Sequence, residues 1–113
     1  MKLIHNQYCS KSQSAFVYLQ RIMIEFQVRD YIKNPFNETE IKELLSKLNI
    51  PASELIRKSE SIYQKKFAGK LITEEEWVTA MVKYPILIER PIFINGDKAV
   101  IARQVERINE ILK

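Results

Sequence analysis

Cys9 is the single cysteine of a 113-residue chain, and its setting decides whether it is a packing residue or a nucleophile. An unpaired cysteine ordinarily behaves as a small buried hydrophobe. Cys9, however, follows the apolar pair Leu3-Ile4, lies beyond the polar stretch Asn6-Gln7-Tyr8, and precedes Ser10-Lys11-Ser12, which reads as the first turn of a helix. The thiolate is the reactive form, and the unpaired N–H groups of a helix start stabilise it, lowering a thiol pKa from about 8.5 toward neutrality. His5 and Lys11 are nearby sources of positive potential. His5, the only histidine, reads either as a strand-end residue fixed by one hydrogen bond or as a support of the thiolate, a role Asn6 could share by ordering the loop. The residue three positions after Cys9 is Ser12, so Cys-x-x-Cys chemistry is absent. Any redox cycle must borrow its second thiol from outside. A Cys-His protease pair is disfavoured, because no oxyanion-hole motif or orienting acid is evident. One Cys and one His also fall short of the three or four ligands that zinc requires, so no metal is expected.

The surrounding pattern supplies elements to position that sulfur. Leu3 and Ile4 predict a short buried strand, and Ala15, Phe16, Leu19, Ile22 and Met23 predict a helix from Ser10 to about Met23. Alternation over Ile24–Arg29 predicts a half-exposed strand. Asn37 with Glu40, and Thr73 with Glu76, are capping-box pairs that open helices through Ile41, Leu44, Leu45 and Leu48 and through Trp77, Met81 and Val82. The second of these should end before Pro85. Pro51 fits the first turn of a short helix toward Arg57, and another is expected over Glu60–Lys66. Trp77 and Met81 read as core, and Glu74-Glu75-Glu76 as a helix-start acidic run rather than a metal site. Beta structure returns at Pro91–Ile94 and Lys98–Ile101 around Asn95-Gly96-Asp97, the signal of a type I′ hairpin. Val105, Ile108, Ile111 and Leu112 predict a closing helix. The order β-α-β, helical block, β-hairpin, α predicts one α/β domain over residues 1–113. Its thioredoxin-like, mixed four-stranded sheet would be flanked by helices, with a helical insertion over about 37–84.

Composition bounds the function. Apolar residues make up 46% and charged residues 28% of the chain, a globular balance that can bury a core without staples. No apolar run is long enough for a bilayer and no leader is recognised at Met1–His5, so neither a membrane nor secretion is expected. A lone thiol suits a reducing cytoplasm. The net charge of +4 comes from dispersed lysines and arginines without a basic block. A normal solvated surface or a small anionic substrate therefore fits better than nucleic acid. A monomer is the default.

Four pieces of the sequence resemble the glutaredoxin-coupled arsenate reductase family, and in the family's order. They are His5-Asn6-x-x-Cys9, Leu55-Ile56-Arg57-Lys58, Pro85-Ile86-Leu87-Ile88-Glu89-Arg90-Pro91-Ile92, and Val100-Ile101-x-Arg103. The resemblance implies that Cys9 attacks arsenate or a similar oxyanion, forming a covalent sulfur–arsenic(V) adduct with release of water. Arg57, Arg90 and Arg103 would hold the anion, a task suited to planar guanidinium groups. His5, Asn6, Ser10 and Pro91 would support the site, Pro91 as the cis-proline of such folds. Glutathione would serve as co-substrate, with no bound cofactor, and glutaredoxin would remove it as arsenite leaves. Gln7 and Gln104 depart from the family pattern, where many relatives carry proline.

Two rival functions share these features. One is a glutathione-dependent thiol reductase or transferase that never handles arsenic. The other is an adaptor resembling the Spx transcription regulators, whose redox-sensing members commonly use the Cys-x-x-Cys that Ser12 interrupts.

Overall fold

Leu3, Phe93 and Val100 stand side by side on three strands, and this buried row organises the part of the chain that carries Cys9. A computed structural model describes residues 1–112. The chain divides into two compact units, Met1–Asn34 with Arg90–Lys113, and Pro35–Glu89. In the first, β1 (Lys2–His5), α1 (Ser10–Arg21), β2 (Gln27–Asp30), β3 (Ile92–Asn95) and β4 (Lys98–Ile101) build a four-stranded sheet in the order β2-β1-β3-β4. β1 runs parallel to β2, while the β1–β3 and β3–β4 pairs are antiparallel. This is the mixed, helix-flanked α/β sheet that the element order predicts. Ala15 and Leu19 of α1 and Ile108 and Ile111 near the C-terminus close the core over the central row. Val28 continues the row on β2 opposite Leu3 but is exposed.

The first helix is shorter than the apolar spacing predicts. It ends at Arg21, and Met23 takes a left-handed conformation with φ 60°. The N–H of Met23 donates to the Gln20 carbonyl at 3.1 Å and that of Ile24 to the Leu19 carbonyl at 3.2 Å. These are the two bonds of a Schellman motif, completed by the apolar pair Ile24 and Leu19 in the core. Met23 is therefore 89% exposed rather than part of the buried face. The strand expected over Ile24–Arg29 starts only at Gln27, because Ile24 is spent on capping; Ile24 and Phe26 pack on the core from the connecting segment.

Two corrections concern the C-terminal region. The hairpin turn is Gly96-Asp97, with Asn95 paired to Lys98, and of its two central residues only Gly96 has positive φ. That is the type II′ pattern rather than the expected type I′. Asn95 instead belongs to β3 and donates from Nδ2 to the Ile111 carbonyl at 2.6 Å. The closing helix, Val105–Ile111, is a 3-10 helix. Its apolar residues Val105, Ile108 and Ile111 recur every third position, which stacks them on one edge of a three-residue-per-turn helix.

The second unit holds α2 (Glu38–Leu48), α3 (Ser61–Lys66) and α4 (Glu74–Lys83), with 3-10 turns at Ala52–Leu55 and Pro85–Leu87. Both capping boxes form. Asn37 accepts from the Glu40 N–H at 2.8 Å and Thr73 from the Glu76 N–H at 3.1 Å, and each glutamate answers the cap residue's N–H at 3.0 Å. Pro51 and Glu60 sit one position before their helices rather than inside them. Trp77 and Met81 are buried as expected. No helix among the described residues is long and apolar enough to cross a membrane.

Methionine at a left-handed position carries strain that glycine does not. We expect Met23→Gly to stabilise the protein by about 1 kcal/mol, read as a raised midpoint in urea unfolding; a lowered midpoint would contradict the cap assignment.

Candidate active site

Strand β1 delivers the chain into a tight loop that ends on the sulfur. Asn6 is buried, and its side chain accepts from the Tyr8 N–H at 3.0 Å while its carbonyl accepts from the Cys9 N–H at 3.0 Å. Asx turns of this kind reverse a chain without a glycine. Cys9 is then the N-cap of α1, in extended conformation, with its carbonyl accepting the first helical bond from Gln13 at 3.0 Å. The nucleophile candidate therefore sits where helix amides are unpaired.

Three groups act on the sulfur of the half-buried Cys9. Partial burial raises the thiol pKa, and it is the largest single influence. The backbone N–H of Ser12, the Arg90 guanidinium and the backbone N–H of Lys11 together outweigh it, so the thiol is held below its ordinary value. The two amides favour the thiolate although neither closes a full cap hydrogen bond onto sulfur. Lys11 contributes its amide, not its ammonium group. Arg90 contributes both a hydrogen bond and its charge, and it is only 4% exposed. A buried guanidinium beside a sulfur in a reduced-dielectric site stabilises the anion more than a surface lysine would.

Sheet register explains why Arg90 reaches the loop. Ile92 of β3 pairs with Ile4 of β1 and with Ile101 of β4. Two residues beyond those pairs lie Asn6, Arg90 and Arg103, all at the same end of the sheet. The Ala102 N–H donates to the Pro91 carbonyl at 2.8 Å, carrying the β3–β4 pairing past the strand ends toward both arginines. The Arg90–Pro91 peptide is cis, as the resemblance implies. Arg103 is half-buried just beyond β4.

The remaining candidates have other partners. His5 Nδ1 lies 2.6 Å from Ser12 Oγ, and its ring stacks on Phe16 with centroids 5.6 Å apart. Burial lowers the His5 pKa, and the charge of Asp30 across the β1–β2 pair only partly offsets this. His5 is thus a neutral organiser near pH 7, not the source of positive potential considered from sequence. Ser10 opens α1, is exposed, and its carbonyl accepts from Ser14 Oγ at 3.0 Å. Tyr8 is exposed. Gln7 accepts at its carbonyl from the Gln13 side chain, a local brace for the loop.

In the helical unit, Arg57 sits in a short antiparallel bridge. Its N–H donates to the Leu87 carbonyl at 2.7 Å, and the Glu89 N–H donates to the Leu55 carbonyl at 2.9 Å. Its guanidinium bonds Glu60 at 2.8 Å, while Nε lies 3.9 Å from Glu89, an ion-pair separation beyond hydrogen-bond reach. These carboxylates went unnoticed in the sequence, although the Arg57–Glu60 spacing of three is visible there.

Ser12 does more than open the helix in place of a second cysteine, and no pattern in the sequence signals it. It is wholly buried and its Oγ accepts from the Asn6 N–H at 3.0 Å while bonding His5. One hydroxyl thereby ties the strand end, the loop and the first helical turn together. Among the described residues no group of three or more His, Cys, Asp or Glu side chains could hold a metal ion.

A lone, activated cysteine ahead of a cis-proline hairpin invites comparison with known proteins. The model of the ArsC family matches residues 4–111. The chain belongs to the ArsC family. An arsenate reductase of Haemophilus influenzae is 32% identical, over 97% of this chain and 97% of its own. The uncharacterized protein YfgD of Escherichia coli K12 is 35% identical, over 99% of this chain and 96% of its own. Among solved structures, an arsenate reductase from Vibrio cholerae superposes with a TM-score of 0.92 at 30% identity, covering 99% of this chain and 98% of its own. The ArsC-family sheet of this chain therefore has a full-length structural counterpart.

Two expectations follow. Titrating the Cys9 thiol by its ultraviolet absorbance should give a midpoint below that of a free cysteine, and Arg90→Gln should raise it; an unchanged midpoint would remove Arg90 from the sulfur. For His5, the folded-state pKa is lowered, so its contribution to stability is full above the free imidazole value near 6.5 and is lost as pH falls through the lowered folded value. His5→Gln should flatten the decline in stability between about pH 7 and 5, measured by urea unfolding at several pH values.

Proposed function

We propose that this ArsC-family protein is a thiol-dependent arsenate reductase, with Cys9 as nucleophile and Arg90, Arg103 and Arg57 as ligands of the oxyanion. The observation that carries the reading is the Cys9 sulfur at a helix start beside the buried Arg90 guanidinium, a thiol held below its ordinary pKa and a cation in one place. Full-length similarity to proteins named arsenate reductase supports the choice of oxyanion. The register that puts Arg103 at the same sheet end as Arg90 supports its share in the site. Arg57 is assigned by the family resemblance, and in its own unit Glu60 and Glu89 hold its guanidinium.

The chemistry follows from these groups. The Cys9 thiolate attacks arsenic(V); one arsenate oxygen takes up protons and leaves as water, so a sulfur–arsenic bond replaces an arsenic–oxygen bond. Reduction to arsenic(III) needs two electrons. Two external thiols, those of glutathione and glutaredoxin, supply them and end as a mixed disulfide, and arsenite departs as Cys9 is restored. Arg90 balances the thiolate before attack and the oxyanion afterwards, so the site keeps a stabilising charge in place as negative charge moves from sulfur to oxygen. Ser12 in place of a second thiol supports an external resolving step. A protein that depends on outside thiols suits a reducing cytoplasm.

An assay with arsenate, glutathione, glutaredoxin and NADPH-driven recycling tests the proposal. Arsenite release is expected from the wild type and none from Cys9→Ser, and Arg90→Lys should lower kcat/KM by roughly 10²-fold or more. Mass spectrometry should find an arsenic adduct on Cys9. Faster turnover of a generic glutathione mixed disulfide than of arsenate, without that adduct, would overturn it.

A further inference from the structure

An open groove lies wholly within the helical unit. Its volume is about 600 Å³, within the span of roughly 300–1,000 Å³ typical of small-ligand clefts. One wall is a face of α4 running from Glu75 and Glu76 past Ala80 to Lys83; the other is the end of α3 and the segment that follows it, through Ile72. Phe67, Ile72 and the Tyr84 ring give it an apolar floor.

Its charges are unbalanced. Lys65, Lys66, Lys70 and Lys83 all line it, and among the described residues none of the four has a carboxylate within ion-pair distance. The two carboxylates on the wall are engaged elsewhere. Glu75 pairs with Lys42 at 3.3 Å, and Glu76 accepts from the Thr73 N–H at 3.0 Å to complete its own helix cap. Lys66 and Lys83 moreover converge on a single ring, with their Nζ atoms 5.7 and 5.4 Å from the Tyr84 centroid. Desolvation raises the Tyr84 phenol pKa, but the two neighbouring ammonium groups outweigh it and bring it below the usual value. Two ammonium groups gathered on one phenol repel each other, and an anion between them relieves that repulsion.

We propose that this groove binds a small organic oxyanion, a carboxylate or phosphate ester carrying an aromatic or aliphatic body. The head would lie between Lys66 and Lys83 and the body on Phe67 and Ile72. Inorganic anions find charge there but gain nothing from the apolar floor, and neutral hydrophobes gain nothing from the lysines.

Trp77, the only tryptophan, provides the reporter, because its ring lies 5.4 Å from that of Phe67. Its emission would be followed while the full chain is titrated with phenyl phosphate, phenylacetate or inorganic phosphate, and amide shifts would locate each ligand. Saturable binding of phenyl phosphate or phenylacetate at least tenfold tighter than inorganic phosphate is expected, with shifts over Phe67–Tyr84; which of the two binds more tightly identifies the preferred head. The exposed double variant Lys66→Met/Lys83→Met should weaken binding at least tenfold and leave arsenate reduction unchanged. Affinity unaltered by the double variant, shifts confined to Ser10–Ser12, or no saturable binding of either organic anion would each overturn the proposal.

Discussion

A thiolate needs positive potential without losing contact with solvent, and in this protein the beginning of α1 and the buried Arg90 provide it jointly. Partial burial works against ionisation more strongly than any single favourable influence, and together those influences outweigh it. Much of the local architecture follows from keeping these partners together. The Asn6 turn brings Cys9 to the cap position, Ser12 fixes the helix to the strand end, and the three-strand register brings Arg90 to the same end of the sheet.

His5 illustrates how proximity in sequence misleads about electrostatics. It is four residues from the nucleophile and belongs to the motif, yet its ring turns to Ser12 and Phe16 and its burial disfavours the charged form. Its role is mechanical. A neutral imidazole holding a buried hydroxyl keeps the first helical turn in place, while the cationic work falls to Arg90, eighty-five positions later in the chain.

Much of this was legible in the residues. The capping boxes at Asn37 and Thr73 name both a start and a partner for it, and both form, while three- and four-residue spacing marks the larger helices and apolar runs around Asn95-Gly96-Asp97 mark the hairpin strands. Cys9 at a helix start was readable because polar residues followed an apolar strand. The failures share a cause, which is that backbone geometry was inferred from favoured residue types. Met23 occupies a left-handed cap where glycine is the usual sign, so the end of α1 was invisible. Asn95 looked like a turn residue because asparagine tolerates positive φ, whereas its side chain is used to tether the C-terminal segment. Ser12 escaped because a buried hydroxyl has no periodic signature, and Glu89 because its pairing with Arg57 depends on a bridge between Ile56 and Ile88 that no local pattern announces.

The Gly96-Asp97 turn stands at the far end of the hairpin from the sulfur, yet it acts as a ruler for the chemistry there. With a two-residue loop and four ladder pairs, β3 and β4 count back in step, so Arg90 and Arg103 arrive abreast. A single residue inserted into one strand would slide one guanidinium by about 3.3 Å and turn it to the opposite face of the sheet. Matched additions to both strands would preserve the alignment. Chain length in this hairpin is thereby under tighter geometric control than its distance from the reacting atoms suggests, and tolerance for insertions should be sought elsewhere in the fold.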